Sequence, residues 1–123
     1  MTTQNFFNDN TWANAVPSCT RADMADDFID RLNLARSISH PQVYVINSAY
    51  RTREHEISRR RTGNGPHTTG RAVDIRARNS RERDAILRGL YAAGFHRIGV
   101  NFQSNFIHVD DSHDHDPNVF FPY

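Results

Sequence analysis

The chain has 123 residues, and its 15 basic residues, all arginine, almost cancel 14 acidic ones to leave a formal net charge of +1. That length supports one domain with one modest core, because two half-length domains would each bury too little apolar surface to fold alone. A mean hydropathy of −0.71, with no apolar run near the roughly 20 residues of a bilayer span, excludes a membrane-inserted chain.

Met1–Thr11 is polar and lacks the basic and apolar regions of a secretion signal, so synthesis in the cytoplasm without a signal peptide is expected. Residues 1–19 scatter Phe6, Phe7 and Trp12 among Asn and Thr, which predicts an irregular N-terminal arm. Thr20-Arg-Ala-Asp23 fits a capping box. Met24, Phe28, Ile29, Leu32 and Ala35 then recur at helical spacing, predicting an amphipathic helix over 21–37 whose stripe is core. His40-Pro41 ends it, and 42–49 (QVYVINSA), rich in β-branched and aromatic residues, reads as a strand. The polar stretch 50–66 leaves room for one short helix before a Gly63-Asn-Gly-Pro66 loop. In 71–76 alternation places Ala72, Asp74 and Arg76 on one face of a strand, with Val73 and Ile75 on the other. Asn79 to Glu82 forms a second capping box for a helix with Ile86, Leu87, Leu90 and Tyr91 on its apolar face, closed by Gly94. A hairpin of 96–102 and 105–110 around Gln103-Ser104 follows, and 111–123 reads as an irregular tail. The order predicts one α+β domain: a small, largely antiparallel sheet with helices packed on one side.

Cys19 is the only cysteine, so neither an internal disulfide nor a cysteine-rich zinc site is available. Any transition metal must be held by histidines and carboxylates, and the seven histidines are the feature to explain. His67 leaves a loop and Asp74 sits on the strand after it, with small Gly70 and Ala72 between them. Phe106, His108 and Asp110 share one face of the last predicted strand. If the two strands are neighbours, His67, Asp74 and His108 converge, and two imidazoles, a carboxylate and a water make a four-coordinate zinc site with an open position.

Ser48-Ala-Tyr-Arg-Thr52, His67-Thr-Thr-Gly-Arg-Ala-Val-Asp74-Ile, Gly94-Phe95, Ile98-Gly99 and Phe106-Ile-His108-Val-Asp110 occur in one order. Over residues 42–110 this series resembles the zinc D-Ala-D-Ala carboxypeptidase family. Its superfamily includes murein endopeptidases, phage L-alanyl-D-glutamate endolysins and the hedgehog signalling domain. The family pattern is SxHxxGxAxD followed by a strand carrying a third ligand. The resemblance implies a hedgehog/D-Ala-D-Ala peptidase-like fold, Zn2+ on His67, Asp74 and His108, and Arg51 contacting the substrate carboxylate or carbonyl. A planar, permanently charged guanidinium suits that contact. Without the resemblance, Arg51 reads as an ion-pair partner of Glu54 or Asp110.

The chain departs from the pattern at three places. Gly65 stands where the motif begins with Ser. Asn105 stands where many members carry an acidic general base, and Phe106 where others carry a histidine. Neither Asn105 nor Phe106 accepts a proton at neutral pH. Asp110 is the nearest candidate base, and orienting His108 is an equal alternative for it. His40 and His96 read as structural, and His55 as a possible lining of the cleft. His113 and His115, alternating with Asp, read as a solvated turn or a metal-scavenging tail.

The reading is a zinc metallopeptidase that hydrolyses peptidoglycan stem peptides, as a D,D-carboxypeptidase or an L-Ala-D-Glu endopeptidase, in phage or prophage cell-wall lysis. Catalytic roles fall to Arg51 and Asp110. The alternative is a non-catalytic zinc-binding relative that serves as a structural or peptidoglycan-binding virion component. A magnesium-dependent nuclease using Arg59-Arg60-Arg61 is a third and weaker reading. Neither nucleic acid nor membrane is expected as a partner, and the chain is expected to be monomeric.

Overall fold

Side-chain alternation in three short segments sets the architecture, because each has one face fit for a core and one for polar chemistry. The computed structural model describes residues 4–59, 61, 63, 65–112 and 119–123. In chain order it contains α1 (Asp9–Ala13), α2 (Asp26–Ile38), β1 (Ile46–Ser48), α3 (Arg53–Ser58), β2 (Ala72–Arg76), α4 (Ser80–Ala92), β3 (Arg97–Asn101), β4 (Phe106–Asp110) and β5 (Val119–Pro122). Two 3-10 turns, Arg21–Asp23 and Pro66–Thr69, complete it. The strands form one sheet in the order β1-β2-β4-β3-β5, antiparallel throughout except for the parallel pair β3 and β5. The fold is α+β with a mostly antiparallel sheet, as the element order predicts.

The apolar face of the sheet presents Val73, Ile75, Ile98, Val100, Ile107 and Val109 to Phe28, Ile29, Leu32 and Ala35 of α2 and Ile86 and Leu90 of α4, all buried. Each such side chain contributes about 1.5–3 kcal/mol on burial. Trp12 of α1 is fully buried and Phe7 nearly so, and both belong to this core.

Several boundaries differ from expectation. The Thr20–Asp23 capping box exists, with the Thr20 N–H donating to Asp23 Oδ2 at 2.9 Å, but it starts a 3-10 turn, and α2 begins only at Asp26. The N-terminal arm holds a helix, α1, capped by Asn8. The strand expected over 42–49 is confined to Ile46–Ser48. Tyr91 is 44% exposed rather than part of the apolar face of α4. The tail is not wholly irregular, since Val119–Pro122 adds β5 to the β3 edge. Among the described residues no helix is long and apolar enough to cross a membrane.

The register gathers the chemistry into one row. Ser48 pairs with Asp74, Asp74 with His108, His108 with Gly99 and Gly99 with Phe121, so a single rung crosses all five strands on the polar face. Gly70 delivers the preceding loop to that row. Its φ of +72° is left-handed, and a Cβ there would lie 2.2 Å from the Asp23 carbonyl oxygen. Its own carbonyl accepts from Ala25 N–H at 3.0 Å.

Two outcomes follow for stability. Gly70→Ala is strained in φ and collides with backbone, so urea unfolding should show a loss of more than about 1 kcal/mol. Glu82, at the start of α4, accepts from the Arg78 guanidinium and backbone N–H, which hold its carboxyl down at about 2. A depressed carboxylate stabilises the fold above its unfolded pKa and ceases to as pH falls through the folded one. The stability gap between wild type and Glu82→Gln should therefore be full at neutral pH and shrink as pH approaches about 2, measured by thermal unfolding across that range.

Candidate metal centre

His67 lies on the 3-10 turn Pro66–Thr69, which Gly70 closes, and its ring is 2% exposed. Its Nδ1 is 2.6 Å from the Ala49 carbonyl oxygen. A carbonyl only accepts, so Nδ1 carries the proton and Nε2 presents a lone pair. That Nε2 is buried, has no hydrogen-bond partner among the described residues, and lies 3.4 Å from Asp74 Oδ1.

His108, on β4, repeats the arrangement in mirror fashion. Its Nε2 is 2.6 Å from Asp110 Oδ2, and its Nδ1 is 3.0 Å from Asp74 Oδ1. Nε2–H donates to the Asp110 carboxylate, and Nδ1 faces Asp74 Oδ1, as a donor when it is protonated and as a lone pair when a cation takes that proton's place. Burial pushes Asp74 up, but His108 and His67 outweigh burial and hold the carboxyl well below the usual carboxylate range. Burial also works against a charged His108, yet Asp110 and Asp74 raise its pKa. Two imidazole nitrogens and one carboxylate oxygen thus meet within 4.8 Å of one another in a buried place. Such a donor set is suited to a cation. The nitrogen and oxygen donors, their convergence and an Nε2 left without a partner among the described residues all fit zinc.

Asp110 sits behind His108. Its Oδ1 accepts from Arg97 Nε at 2.7 Å and from Ser112 N–H at 3.1 Å, and its Oδ2 faces His108. Both oxygens are thus engaged, and Oδ2 meets the ring nitrogen remote from Asp74.

Arg51 is buried beside the ligands, with Nη1 4.0 Å from Asp74 Oδ2. Its partners are neither Glu54 nor Asp110. Nε donates to Glu56 Oε1 at 2.9 Å and Nη1 to Ser48 Oγ at 3.1 Å, while Arg61 holds the other Glu56 oxygen at 2.6 Å. Burial raises the Glu56 pKa, but Arg61, Arg51 and His67 more than offset this and leave it low. Arg51 N–H also donates to the His67 carbonyl at 3.1 Å, tying the arginine to the ligand turn.

The sequence-predicted residues His67, Asp74, His108, Arg51 and Asp110 therefore lie together. His55 is half-buried on α3 and lines a separate cavity of about 430 Å³ with Pro17, Ser18, Asp23, Tyr50 and Thr52. His40 and His96 are exposed and outside the ligand group, and His113 and His115 lie outside the described residues. Sequence reasoning missed Glu56, Arg97 and Tyr123. Arg97 was within reach, since it is directly opposite Asp110 in the predicted hairpin. Glu56 required the geometry of α3, and Tyr123 required the strand β5.

A mixed two-histidine, one-aspartate set with an arginine at its edge, carried on the polar face of an α+β sheet, is the architecture of a metal-dependent hydrolase. A family model described as peptidase M15 matches residues 9–110, and the chain belongs to that family, whose members are zinc enzymes. By family it is a metallopeptidase. Among curated proteins, none matches the chain significantly.

Outer partners of a ligating histidine set its orientation and basicity. Asp110→Asn should weaken zinc binding by about 10- to 100-fold while leaving the stoichiometry unchanged, as read by competition with a chromophoric chelator.

Proposed function

We propose that this protein is a zinc peptidase that hydrolyses peptide bonds in peptidoglycan stem peptides, acting at the bacterial cell wall in a phage-type lysis setting. The observation that carries the reading is the convergence of His67 Nε2, Asp74 Oδ1 and His108 Nδ1 beside the Arg51 guanidinium. Family membership supports the peptidoglycan substrate.

His67, Asp74 and His108 would hold a zinc ion, which would supply Lewis-acid activation of water and of the scissile carbonyl. The chain's own residues supply direction. The Ala49 carbonyl holds His67 in the tautomer that leaves Nε2 free. Asp110, itself fixed by Arg97, does the same for His108 Nδ1, so in this proposal its role is orientation rather than proton transfer. Arg51, held rigid by Glu56 and Ser48, offers its guanidinium to an anionic oxygen of the substrate, the terminal carboxylate or the developing oxyanion. Pre-fixed donors of this kind need no reorganisation as charge develops.

A second reading, a zinc-binding relative without turnover, is favoured by one specific set of facts. Asn105 sits exposed on the β3–β4 turn with φ of +57°, Phe106 packs edge-on against Tyr123, and Asp110 is committed behind His108.

Turnover separates the two. Zinc-loaded protein incubated with purified muropeptides should release D-Ala or new amino termini. Arg51→Lys keeps the buried charge beside Glu56 but loses the planar fork, and should lower kcat/KM by at least about tenfold at unchanged zinc content. Absence of cleavage of every stem peptide at full zinc occupancy would leave only the second reading.

A further inference from the structure

The polar face of the sheet ends in β5, and β5 brings aromatic rings onto a ligand histidine. Phe121 is in register with Gly99, which is in register with His108. A Cβ at Gly99 would lie 2.7 Å from Phe121 Cε2 and 2.8 Å from Tyr123 Cβ, so only glycine at this position lets the two aromatic residues settle. The Tyr123 ring then stacks on the His108 imidazole, with centroids 4.2 Å apart and planes 16° from parallel. Phe106 meets Tyr123 edge-on at 5.6 Å, and Phe121 lies 6.0 Å from both His108 and Tyr123. Arg97, the partner of Asp110, places its guanidinium 5.5 Å over Phe121. Tyr123 is tied down by its N–H to the Val100 carbonyl at 3.0 Å, and Asn101 Nδ2 donates to its carbonyl at 3.3 Å.

This placement is not that of a core residue. Tyr123 is 44% exposed and covers the polar face, while the apolar face packs against α2 and α4. Asp110 restrains His108 within the imidazole plane, through Nε2. A ring stacked above that plane adds a steric restraint on rotation about the ring's attachment, and the Tyr123 ring occupies that side. Burial and the Asp74 carboxylate push its hydroxyl up while the Arg51 guanidinium pulls it down, so the hydroxyl shares the polar face with both groups.

We propose that Tyr123 is a residue of the active site: its ring positions His108 for metal binding, and its hydroxyl joins Arg51 as a second donor to an anionic oxygen of the substrate. The positioning half requires only that the three ligands hold a metal. The hydroxyl half rests on the peptidase reading above.

Three full-length proteins test both halves: wild type, Tyr123→Phe and Tyr123→Leu, with thermal unfolding of each metal-free form as the control for folding. Zinc affinity is read by chelator competition, and ligand geometry by the visible bands of the cobalt(II)-loaded protein. Tyr123→Leu should bind zinc about 10- to 100-fold more weakly and shift the cobalt bands. Tyr123→Phe keeps the ring and should match wild type in both. With muropeptides, Tyr123→Phe should lower kcat/KM by about tenfold or more, chiefly through kcat if the hydroxyl meets the developing oxyanion and chiefly through KM if it meets a ground-state carboxylate.

A Tyr123→Leu protein with wild-type zinc affinity and wild-type cobalt bands overturns the positioning role. A Tyr123→Phe protein with wild-type kcat and KM overturns the hydroxyl role. A zinc-loaded wild type that cuts no stem peptide removes the peptidase reading and the hydroxyl role with it, and the metal readouts still decide the positioning role.

Discussion

Two imidazole lone pairs and a carboxylate oxygen share one buried spot, and such a cluster is repulsive unless something positive stands among its members. The Ala49 carbonyl and the Asp110 carboxylate each claim the proton-bearing nitrogen of one histidine and turn the other nitrogen inward. In the protein alone, the positive charge is a proton on the histidine side, which is why His108 is raised and Asp74 depressed. A divalent cation satisfies the same three atoms better, because it meets all of them at once. The rest of the site answers to this requirement: Asp110 is clamped by Arg97, and Arg51 is held off the Asp74 carboxylate by Glu56 and Ser48.

The sheet makes that cluster affordable in folding terms by separating its two faces. Alternation sends Val73, Ile75, Ile107 and Val109 into the core, and the same alternation sends Asp74 and His108 to the opposite side. Antiparallel pairing in register then puts the aspartate and histidine directly across from each other. His67 joins them from the 3-10 turn, and Glu56 of α3 fixes Arg51 at the edge. The ligand turn and the strand after it are joined by Gly70, whose left-handed backbone packs against the Asp23 carbonyl.

What was legible in the sequence was what short-range geometry decides. Period-two alternation in 71–76 and 105–110 named the site face, helical spacing named the α2 core stripe, and Asn79 and Gly94 marked the ends of α4. What was hidden depended on distant packing. The Thr20 box looked like a helix start, but Ala25 N–H is drawn to the Gly70 carbonyl, and the helix waits until Asp26. Arg51 faced a choice among several nearby carboxylates, and only the turn of α3 selects Glu56. The strand β5 follows a polar stretch and pairs in parallel with β3, across a connection with no local signature, so Tyr123 could not be placed over His108 from its neighbours in sequence.

The two hydrogen bonds between residues 49–51 and the turn that carries His67 have a mechanical meaning. Ala49 accepts from the His67 ring, and Arg51 N–H donates to the His67 carbonyl. His67 is thereby bolted to Ala49 and Arg51, which lie two residues apart on one strap. The turn that carries His67 and the segment that carries Arg51 are therefore held together at two points. Under the peptidase reading, a peptide gripped at both points would meet a fixed opening, and chain length from the anchored oxygen to the scissile bond would become a selected quantity.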